Sequence, residues 1–541
     1  MTARSDATEL LPTRASFGLG ERVEIEVRGD RSPGELVVWR LGDEVERRAY
    51  SGEESVLLLG LERGGYGVEL RRETGVSRTA VEVADTLRSR LRYGFVVDYS
   101  PGRDLDGVSD TVRRLHLTGV QFYDWAYRHA DLLGGGEDYL DALGRPIALQ
   151  TVRDLIRTVQ LAGSRALGYA AVYAVGPEEW SGWKHDALLT GSGAPFGLGD
   201  FLFLVDPAAD DWLEHFCAEL RASTDRLGFD GYHLDQYGYP KWAARPDGTI
   251  VDVGTAFVAM IDRVRAVLPD AHLVFNNVND FPTRLTGGSP QDAIYIEPWE
   301  PQLTLGSLAH VVNRARGAAL GKPVVLAAYQ HVYDSADAAA SDRATALTMA
   351  TLFSHGATQL LAGEADRILV DPYYVRNHVV ESSTGAMLRR WYDFLVEHDE
   401  LLLDPAIVDE TASLAGRYND DCDVAFDGAE VTGEAAAGTV WRRITGTRGR
   451  LVVHLINLVG QRDTLWDAAR EPFGRPGEGA LRIRRVLGFL PRVQVADPDA
   501  AGRLIDVEVS VDGDYASARL PEFAAWQLVL VNLTAHPEEI S

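Results

Sequence analysis

The sequence predicts a multidomain protein that combines α/β and all-β parts, with a (β/α)8 barrel between two β-sandwich domains. In the central region, eight short apolar runs alternate with longer helical stretches, and the segments on either side alternate in polarity between Gly, Asp and Pro residues. We expect an immunoglobulin-like sandwich over residues 1–88, the barrel over residues 89–402 and a second sandwich over residues 403–541. A chain of 541 residues is long enough for several cores.

The flanking segments have the two-residue periodicity of half-buried strands. Near the N-terminus, Val23, Ile25 and Val27 alternate with charged residues, and GGYGVEL and TAVEV follow later in the same segment. After Leu401 the alternation returns in TVWRRI, GRLVVHLINLVG, DVEVSVDG and WQLVLVNL. These patterns predict sheets with one buried face at both ends of the chain.

Eight apolar runs in the central region predict the strands of the barrel. They begin at Arg92, Gly119, Ala166, Asp230, His272, Ile294, Pro323 and Ala357. Eight strand-helix units favour a closed barrel over an open doubly wound sheet. The segment YSPGRDLDG after Asp98 contains no glycine-rich phosphate loop, so nucleotide binding is disfavoured.

Composition and charge exclude several classes of partner. Asp and Glu number 80 against 53 Lys and Arg, and the resulting formal charge of -27 would repel nucleic acid and anionic lipid. No run of eighteen apolar residues occurs, so we expect no membrane partner. The first sixteen residues lack the apolar core of a secretory signal, which predicts a cytoplasmic protein unless a leader is missing from the sequence. The oligomeric state is left open.

Asp235 is the first candidate catalytic acid. In GFDGYHLDQYG, residues 228–238, strand alternation places His233 and Asp235 on one face and Tyr232 and Leu234 on the other. The acid therefore ends the fourth run on the face that points into the barrel. The carboxyl ends of barrel strands are where enzymes of this fold carry their chemistry.

Glu297 is the second candidate catalytic acid. In AIYIEPWE, Tyr295 and Glu297 share one face, and Pro298 removes a backbone donor that a continuing central strand would need. Glu297 therefore falls at the end of the sixth run. Acids on alternate strands of one rim can face each other across a substrate.

The other strand ends supply acids, amides and aromatic rings, which suit a sugar because its C–H faces pack on rings while its hydroxyls bond to polar groups. No HxH, HExxH or GxSxG pattern occurs, so we expect no metal, no cofactor and no serine nucleophile. The predicted substrate is a neutral sugar. The candidate binding residues are Tyr123, Asp124, Trp125, Tyr127, His129, Tyr173, Gln236, Asn277, Asp280, Trp299, Tyr329 and Glu364.

Several motifs resemble glycoside hydrolase family 66, the family of dextranases and cycloisomaltooligosaccharide glucanotransferases. The matching segments are QFYDWAYRH at Gln121, DGYHLDQYG at Asp230, FNNVND at Phe275, YIEPW at Tyr295, LAGE at Leu361, PYYVRNH at Pro372 and HLINLVGQ at His454. The resemblance implies a barrel between β-sandwiches and retaining cleavage of α-1,6-glucan. It implies that Asp235 is the nucleophile and Glu297 the acid/base, and that Glu364 and the Gln121 segment line the sugar cleft.

The acceptor of the glycosyl group is a separate question. Cyclising members of the family tend to carry a carbohydrate-binding insertion in the barrel, and no stretch between residues 91 and 400 is long enough to hold one. We therefore expect hydrolysis of dextran or of linear or cyclic isomaltooligosaccharides, with a cycloisomaltooligosaccharide glucanotransferase as the alternative. A non-catalytic carbohydrate-binding protein is the remoter alternative. Ala130 and Ala365 depart from the family pattern near the expected binding subsites.

Overall fold

Eight parallel strands form the central sheet of the computed structural model, which describes residues 8–85, 90–416, 418–447, 449–486 and 489–533. The predicted domain boundary after residue 88 lies outside the described residues. The strands are β1 (Tyr93–Val96), β2 (Gly119–Phe122), β3 (Arg165–Ala171), β4 (Gly231–Asp235), β5 (His272–Asn276), β6 (Ala293–Ile296), β7 (Val324–Leu326) and β8 (Thr358–Gln359).

The sheet is a nearly closed barrel. Its strands are hydrogen-bonded in chain order from β1 to β8. At the seam, Thr358 Oγ1 donates to Leu91 O at 2.6 Å and Glu364 N donates to Phe95 O at 2.8 Å. The last strand therefore returns to the first, and the predicted barrel is confirmed.

At least one helix follows each barrel strand. Eight of them are α1 (Leu105–Arg114), α2 (Leu149–Leu161), α3 (Asp210–Leu227), α4 (Val253–Val267), α5 (Thr283–Thr286), α6 (Leu305–Ala318), α7 (Ala338–Ser354) and α8 (Ser382–Glu397). Short helices at Trp180–Trp183 and Val332–Ser335 precede α3 and α7. Helix α5 is a single turn, shorter than the repeating pattern predicts. Pro282 comes directly before it and Gly287 directly after it, and both residues oppose helix extension.

Residues at the helix ends explain where the helices start and stop. Asp104 accepts a hydrogen bond from Gly107 N at the start of α1, and Asp337 does the same for Ala340 N at the start of α7. Gly228 ends α3 with a φ of 83°, a left-handed conformation that glycine adopts without strain. These caps set the lengths of the loops at the two rims.

The two faces of β4 have different surroundings, as the alternation predicts. Tyr232 OH donates to Leu220 O of α3 at 2.6 Å, so this ring lies between the sheet and the helices. His233 points inward, and its ring stacks on Tyr93 at 5.9 Å. Gly231 has no room for a side chain, because a Cβ there would collide with the backbone of His272 on β5.

Two sheets form the N-terminal part, and their strands pair antiparallel except for Phe17–Gly18, which runs parallel to Gly75–Ala84. One contains Glu9–Pro12, Val23–Arg28 and Ser55–Leu58, and the other contains Phe17–Gly18, Gly75–Ala84, Gly64–Arg72, Gly34–Arg40 and Asp43–Tyr50. A buried ion pair joins this part to the barrel, with Arg92 Nη2 at 2.6 Å from Glu82 Oε2.

Two main sheets form the C-terminal part. The seven-stranded sheet contains Val408–Asp409, Val431–Thr432, Val440–Thr447, Arg450–Asn457, Trp526–Asn532, Arg492–Ala496 and Ile505–Val507. The four-stranded sheet contains Cys422–Phe426, Gly479–Arg484, Tyr515–Leu520 and Val509–Asp512. Trp526 packs on Trp391 of α8 with ring centroids 5.9 Å apart, which seats this part against the barrel. In the part of the chain that the structure describes, no helix is both long and apolar enough to span a bilayer.

Candidate active site

The two candidate acids lie on either side of β5 at one rim of the barrel. Asp235 is the last residue of β4, and Glu297 directly follows β6. Asn276, the last residue of β5, lies between them, with its Nδ2 2.7 Å from Asp235 Oδ1 and 3.5 Å from Glu297 Oε2. The distance between Asp235 Oδ1 and Glu297 Oε2 therefore cannot exceed the sum of their distances to Asn276 Nδ2. This upper limit is smaller than the separation of about 6.5 Å at which the range of carboxyl spacings in inverting glycosidases begins.

Asp235 accepts two short hydrogen bonds. Tyr169 OH donates to Asp235 Oδ2 at 2.7 Å, and Asn276 Nδ2 donates to the other oxygen. Burial raises the pKa of Asp235, and the neighbouring Glu297 raises it further, whereas the two hydrogen bonds act in the opposite direction.

Glu297 has a donor at each oxygen. Tyr329 OH donates to Glu297 Oε1, and Trp299 Nε1 donates to Oε2 at 3.3 Å. Burial raises the pKa of Glu297 as well. Because both acids are partly buried and lie next to each other, we expect the pair to keep one proton up to a higher pH than isolated carboxyls would.

Aromatic rings form the floor beneath the acids. Tyr295 meets the His233 ring edge-on at 4.7 Å, and Tyr93 OH lies 3.2 Å from His233 Nδ1. Burial lowers the pKa of His233 to about 3, so the imidazole is neutral. Tyr374 continues the floor, with its hydroxyl 3.0 Å from that of Tyr295. A packed aromatic floor excludes water from below the reacting groups.

A small pocket opens beside Asp235. Three predicted binding residues, Tyr123, Asp124 and His129, line it together with Tyr169 and Tyr237. Burial raises the pKa of Asp124 to about 7, although Arg145 lies 3.5 Å away and opposes the shift. Burial also lowers the pKa of His129 to about 4. The pocket thus offers polar groups and aromatic faces.

Trp299 and Tyr329 lie at the acids, as described above, and four other predicted binding residues point away from them. Trp125 Nε1 donates to Tyr169 O at 3.2 Å, and Tyr173 OH donates to Tyr239 O at 2.6 Å. Both rings are fully buried. Gln236 Nε2 donates to backbone oxygens of residues 276 and 281. Asn277 is also fully buried, and its amide donates to backbone oxygens of residues 275 and 295.

The remaining three predicted residues are held by ion pairs or by ring contacts. Asp280 pairs with Arg314 at 2.7 Å. Glu364 is buried against Arg103 and accepts a hydrogen bond from Asp98 N at 3.0 Å. The ring of Tyr127 meets Tyr139 edge-on at 5.7 Å and has the guanidinium of Arg128 over its face at 4.1 Å.

Three residues of the candidate site were not predicted from the sequence: Asn276, Tyr169 and Tyr374. The strand register holds a signal for two of them, because inward-facing His233 pairs with Tyr169 on β3 and with Val274 on β5. Two residues beyond Val274 on the same face is Asn276. Tyr374 comes from a loop after β8 and stacks on Tyr123 at 4.2 Å, a contact that no local pattern announces.

The barrel and its paired carboxyls define a glycosidase-type enzyme. The model of glycosyl hydrolase family 66 matches residues 62–530, and the chain belongs to this family. A cycloisomaltooligosaccharide glucanotransferase of Niallia circulans is 22% identical over 632 residues, which cover 87% of this chain and 64% of the relative. A dextranase of Streptococcus salivarius is 21% identical over 296 residues, which cover 47% of this chain and 35% of the relative. The chain thus spans less than two thirds of the length of these relatives.

Solved structures share the architecture. A cycloisomaltooligosaccharide glucanotransferase of Paenibacillus sp., complexed with cycloisomaltoheptaose, superposes with a TM-score of 0.86 at 19% identity, covering 96% of this chain and 99% of that one. A maltogenic α-amylase of Thermotoga neapolitana superposes with a TM-score of 0.52 at 10% identity, covering 83% and 100%. At these identities the likeness concerns the fold.

Proposed function

We propose that the protein hydrolyses α-1,6-glucosidic bonds in isomaltooligosaccharides or dextran with net retention of configuration. The observation that carries the proposal is the pair of carboxyls around the single amide nitrogen of Asn276. Their spacing supports direct attack by one carboxylate, because an inverting enzyme needs room for a water molecule between acid and sugar. Family membership and the two named relatives support α-1,6-glucan as the substrate.

The reaction proceeds in two displacements. Protonated Glu297 donates its proton to the leaving glycosidic oxygen while a carboxylate oxygen of Asp235 attacks the anomeric carbon, which forms a covalent β-glucosyl ester. Glu297, now ionised, takes a proton from a water molecule that attacks the same carbon and releases Asp235. Two inversions restore the α configuration.

The hydrogen bonds support this division of roles. Two donors at 2.7 Å stabilise the ionised form of Asp235, which is the form that attacks. Burial raises the pKa of Glu297, and a raised pKa is what a general acid requires near neutral pH. The match of both residues to the family motifs supports the same assignment.

Sugar rings have aromatic and polar partners on both sides of the acids. On the side of Glu297, the ring of Trp299 is partly exposed beside Tyr329. On the side of Asp235, the pocket lined by Tyr123, Asp124 and His129 combines ring faces with hydrogen-bonding groups. We expect flanking glucose units to occupy these two regions.

Comparison with the transferase supports hydrolysis over ring formation. The alignment with the Niallia circulans enzyme runs over 632 residues but covers only 87% of these 541 residues. The relative therefore contains long segments, within the aligned region, that this chain lacks. A carbohydrate-binding insertion of the kind expected in cyclising members has no counterpart here.

Product analysis tests the proposal. The protein is incubated with linear isomaltooligosaccharides, with cyclic ones and with dextran, and the products are separated by mass, since a ring contains one water fewer than the linear chain of equal length. We expect shorter linear products. A predominance of rings would favour the glucanotransferase, and binding without turnover would favour the carbohydrate-binding protein.

A further inference from the structure

Two of the donors to Glu297 come from loops. Trp299 lies on the loop between β6 and α6, and Tyr329 lies on the loop after β7. Neither loop belongs to a strand or helix at these positions. Within the barrel, Asn279 Oδ1 accepts a hydrogen bond from Trp299 N at 3.2 Å, and contacts from outside the barrel add to this support.

A segment of the C-terminal part, residues 464–467, contacts the first of these loops. Trp466 Nε1 donates to Gln302 O at 2.7 Å, and Trp466 N donates to Leu303 O at 3.2 Å. Leu305 N, at the start of α6, donates to Thr464 O at 2.8 Å. Because Trp466 is 5% exposed, these bonds are shielded from water. The loop that carries Trp299 is thus tied to the C-terminal part only three residues beyond that ring.

The same segment also contacts the second loop. Asp467 Oδ1 accepts a hydrogen bond from Val332 N at 2.9 Å, and its Oδ2 lies 2.9 Å from His331 Nδ1. The two residues that it contacts follow Tyr329 by two and three positions. The side chain of Asp467 is 21% exposed, so its bonds are partly shielded.

We propose that the 464–467 segment positions the general acid, because it ties together the two loops whose Trp299 and Tyr329 hold the two oxygens of Glu297. The inference rests on the proposed function, in which Glu297 protonates the leaving oxygen. Residues Trp466 and Asp467 touch neither acid and act through the loops. The C-terminal part thereby contributes to the chemistry of a site built wholly from barrel residues.

Leaving-group dependence tests this role. A poorly positioned acid slows the release of a sugar, which needs protonation, but not the release of nitrophenolate, which needs little. For Asp467→Ala we expect kcat/KM on isomaltotriose or longer oligomers to fall by about 10- to 100-fold, as a misplacement on the order of 1 Å can produce. On a nitrophenyl isomaltooligoside we expect kcat/KM, which reports the first displacement and not the later attack of water, to change much less. Asp467→Asn keeps an acceptor for Val332 N and should lose less activity on these oligosaccharides than Asp467→Ala.

Two further variants keep the test decisive. Trp466→Phe retains the ring but removes the bond to Gln302 O, and it should show the same leaving-group pattern. Asp499→Ala is the matched control, because Asp499 is also in the C-terminal part and accepts a bond from Trp391 Nε1 of α8 at 3.1 Å, away from the acids. It should leave both activities unchanged.

The outcomes separate this inference from the function itself. Equal losses on both substrates in Asp467→Ala and Trp466→Phe, or no loss on either, would overturn the positioning role. Glu297→Gln provides the reference: if it shows no leaving-group dependence, the assignment of Glu297 as the acid fails instead. If Glu297→Gln shows leaving-group dependence but Asp467→Ala and Trp466→Phe do not, only the role of the 464–467 segment is overturned.

Discussion

At the residue scale, each acid of the pair is held by a tyrosine from a neighbouring strand end. Tyr169 from β3 donates to Asp235, and Tyr329 from the loop after β7 donates to Glu297. Asn276 adds a donor between the acids. These uncharged donors orient the carboxyls without adding a positive charge that would keep both acids ionised. The arrangement permits a pair that holds one proton between two sites.

Removal of the proposed nucleophile, Asp235, should abolish turnover. Asp235→Asn removes the negatively charged carboxylate and keeps the side-chain volume. General acid catalysis contributes up to about 10⁴-fold, and we expect kcat to fall by more than that. Circular dichroism should match that of the parent protein. Activity within a factor of ten of the parent would show that another residue attacks the sugar.

Removal of the Tyr169 hydroxyl should change the pH dependence. Its hydrogen bond favours the ionised form of Asp235, so Tyr169→Phe raises the pKa of that carboxyl and moves the acidic limb of kcat/KM to higher pH. A hydrogen bond to a charged group is worth about 1.5–3 kcal/mol, which corresponds to a fall in kcat/KM of about 10- to 100-fold at low pH.

Tyr173→Phe is the control for this measurement. Tyr173 also lies near the carboxyl end of β3, but its hydroxyl donates to Tyr239 O at 2.6 Å, away from the acids. The pH profile of kcat/KM for Tyr173→Phe should have the same acidic limb as that of the parent protein. A shift of equal size in both variants would mean that Tyr169 has no special relation to the nucleophile.

At the element scale, alternation along a strand decides which side chains reach the site. Asn276 ends β5 on the inner face and contacts both acids, whereas the next residue, Asn277, is turned into the protein and bonds to Thr286 and to backbone oxygens. Two identical side chains next to each other in sequence thus have separate roles. One acts in the site and the other holds the loop after β5.

Paired alanine variants test this separation. Asn276→Ala removes a donor that both carboxyls share, so we expect kcat to fall by about 10-fold or more with little change in the melting temperature. Asn277→Ala removes three hydrogen bonds of a fully buried side chain, two to backbone oxygens and one from the Thr286 hydroxyl, so we expect a loss of stability of about 1–3 kcal/mol. Steady-state kinetics and thermal unfolding of both variants check the prediction. The reverse pattern would contradict the assigned strand faces.

The same elements show what a sequence can predict. The eight strands and the positions of Asp235 and Glu297 follow from apolar runs and strand periodicity, which are local properties of the chain. The orientations of four other side chains do not follow from these local properties: Trp125, Tyr173, Gln236 and Asn277. Each lies beyond a strand end, where tertiary hydrogen bonds set its orientation. The residues that complete the site, Asn276, Tyr169 and Tyr374, lie on neighbouring strands and on a loop that are brought together only when the chain folds.

At the scale of the whole molecule, the flanking sheets are joined to the barrel by buried polar contacts. Arg92 lies just before β1 with no exposed surface, and Glu82 on the last N-terminal strand pairs with it at 2.6 Å. On the same N-terminal strand, Ala80 N donates to Asp393 of α8 at 3.0 Å, and the Asp393 carboxyl also lies 2.8 Å from His116 Nε2. These contacts make the N-terminal sheets part of the barrel's support.

Breaking the buried pair should destabilise the protein. Glu82→Gln leaves the charge of Arg92 without its carboxylate in a buried site, and we expect a loss of about 3–5 kcal/mol of stability. Asp420→Asn is the control, because Asp420 pairs with Arg484 at the surface and an exposed pair contributes little. Differential scanning calorimetry should show a lower melting temperature for Glu82→Gln alone. Equal shifts would mean that the buried pair does not join the domains.

The central claim is that Asp235 and Glu297 cleave an α-1,6-glucosidic bond in two displacements. The stereochemistry of the first product tests it most directly. Proton NMR of the anomeric region, recorded during the first minutes of reaction with a linear isomaltooligosaccharide, distinguishes the newly formed α anomer from the β anomer before mutarotation mixes them. We expect the α anomer to appear first. Initial formation of the β anomer would contradict it.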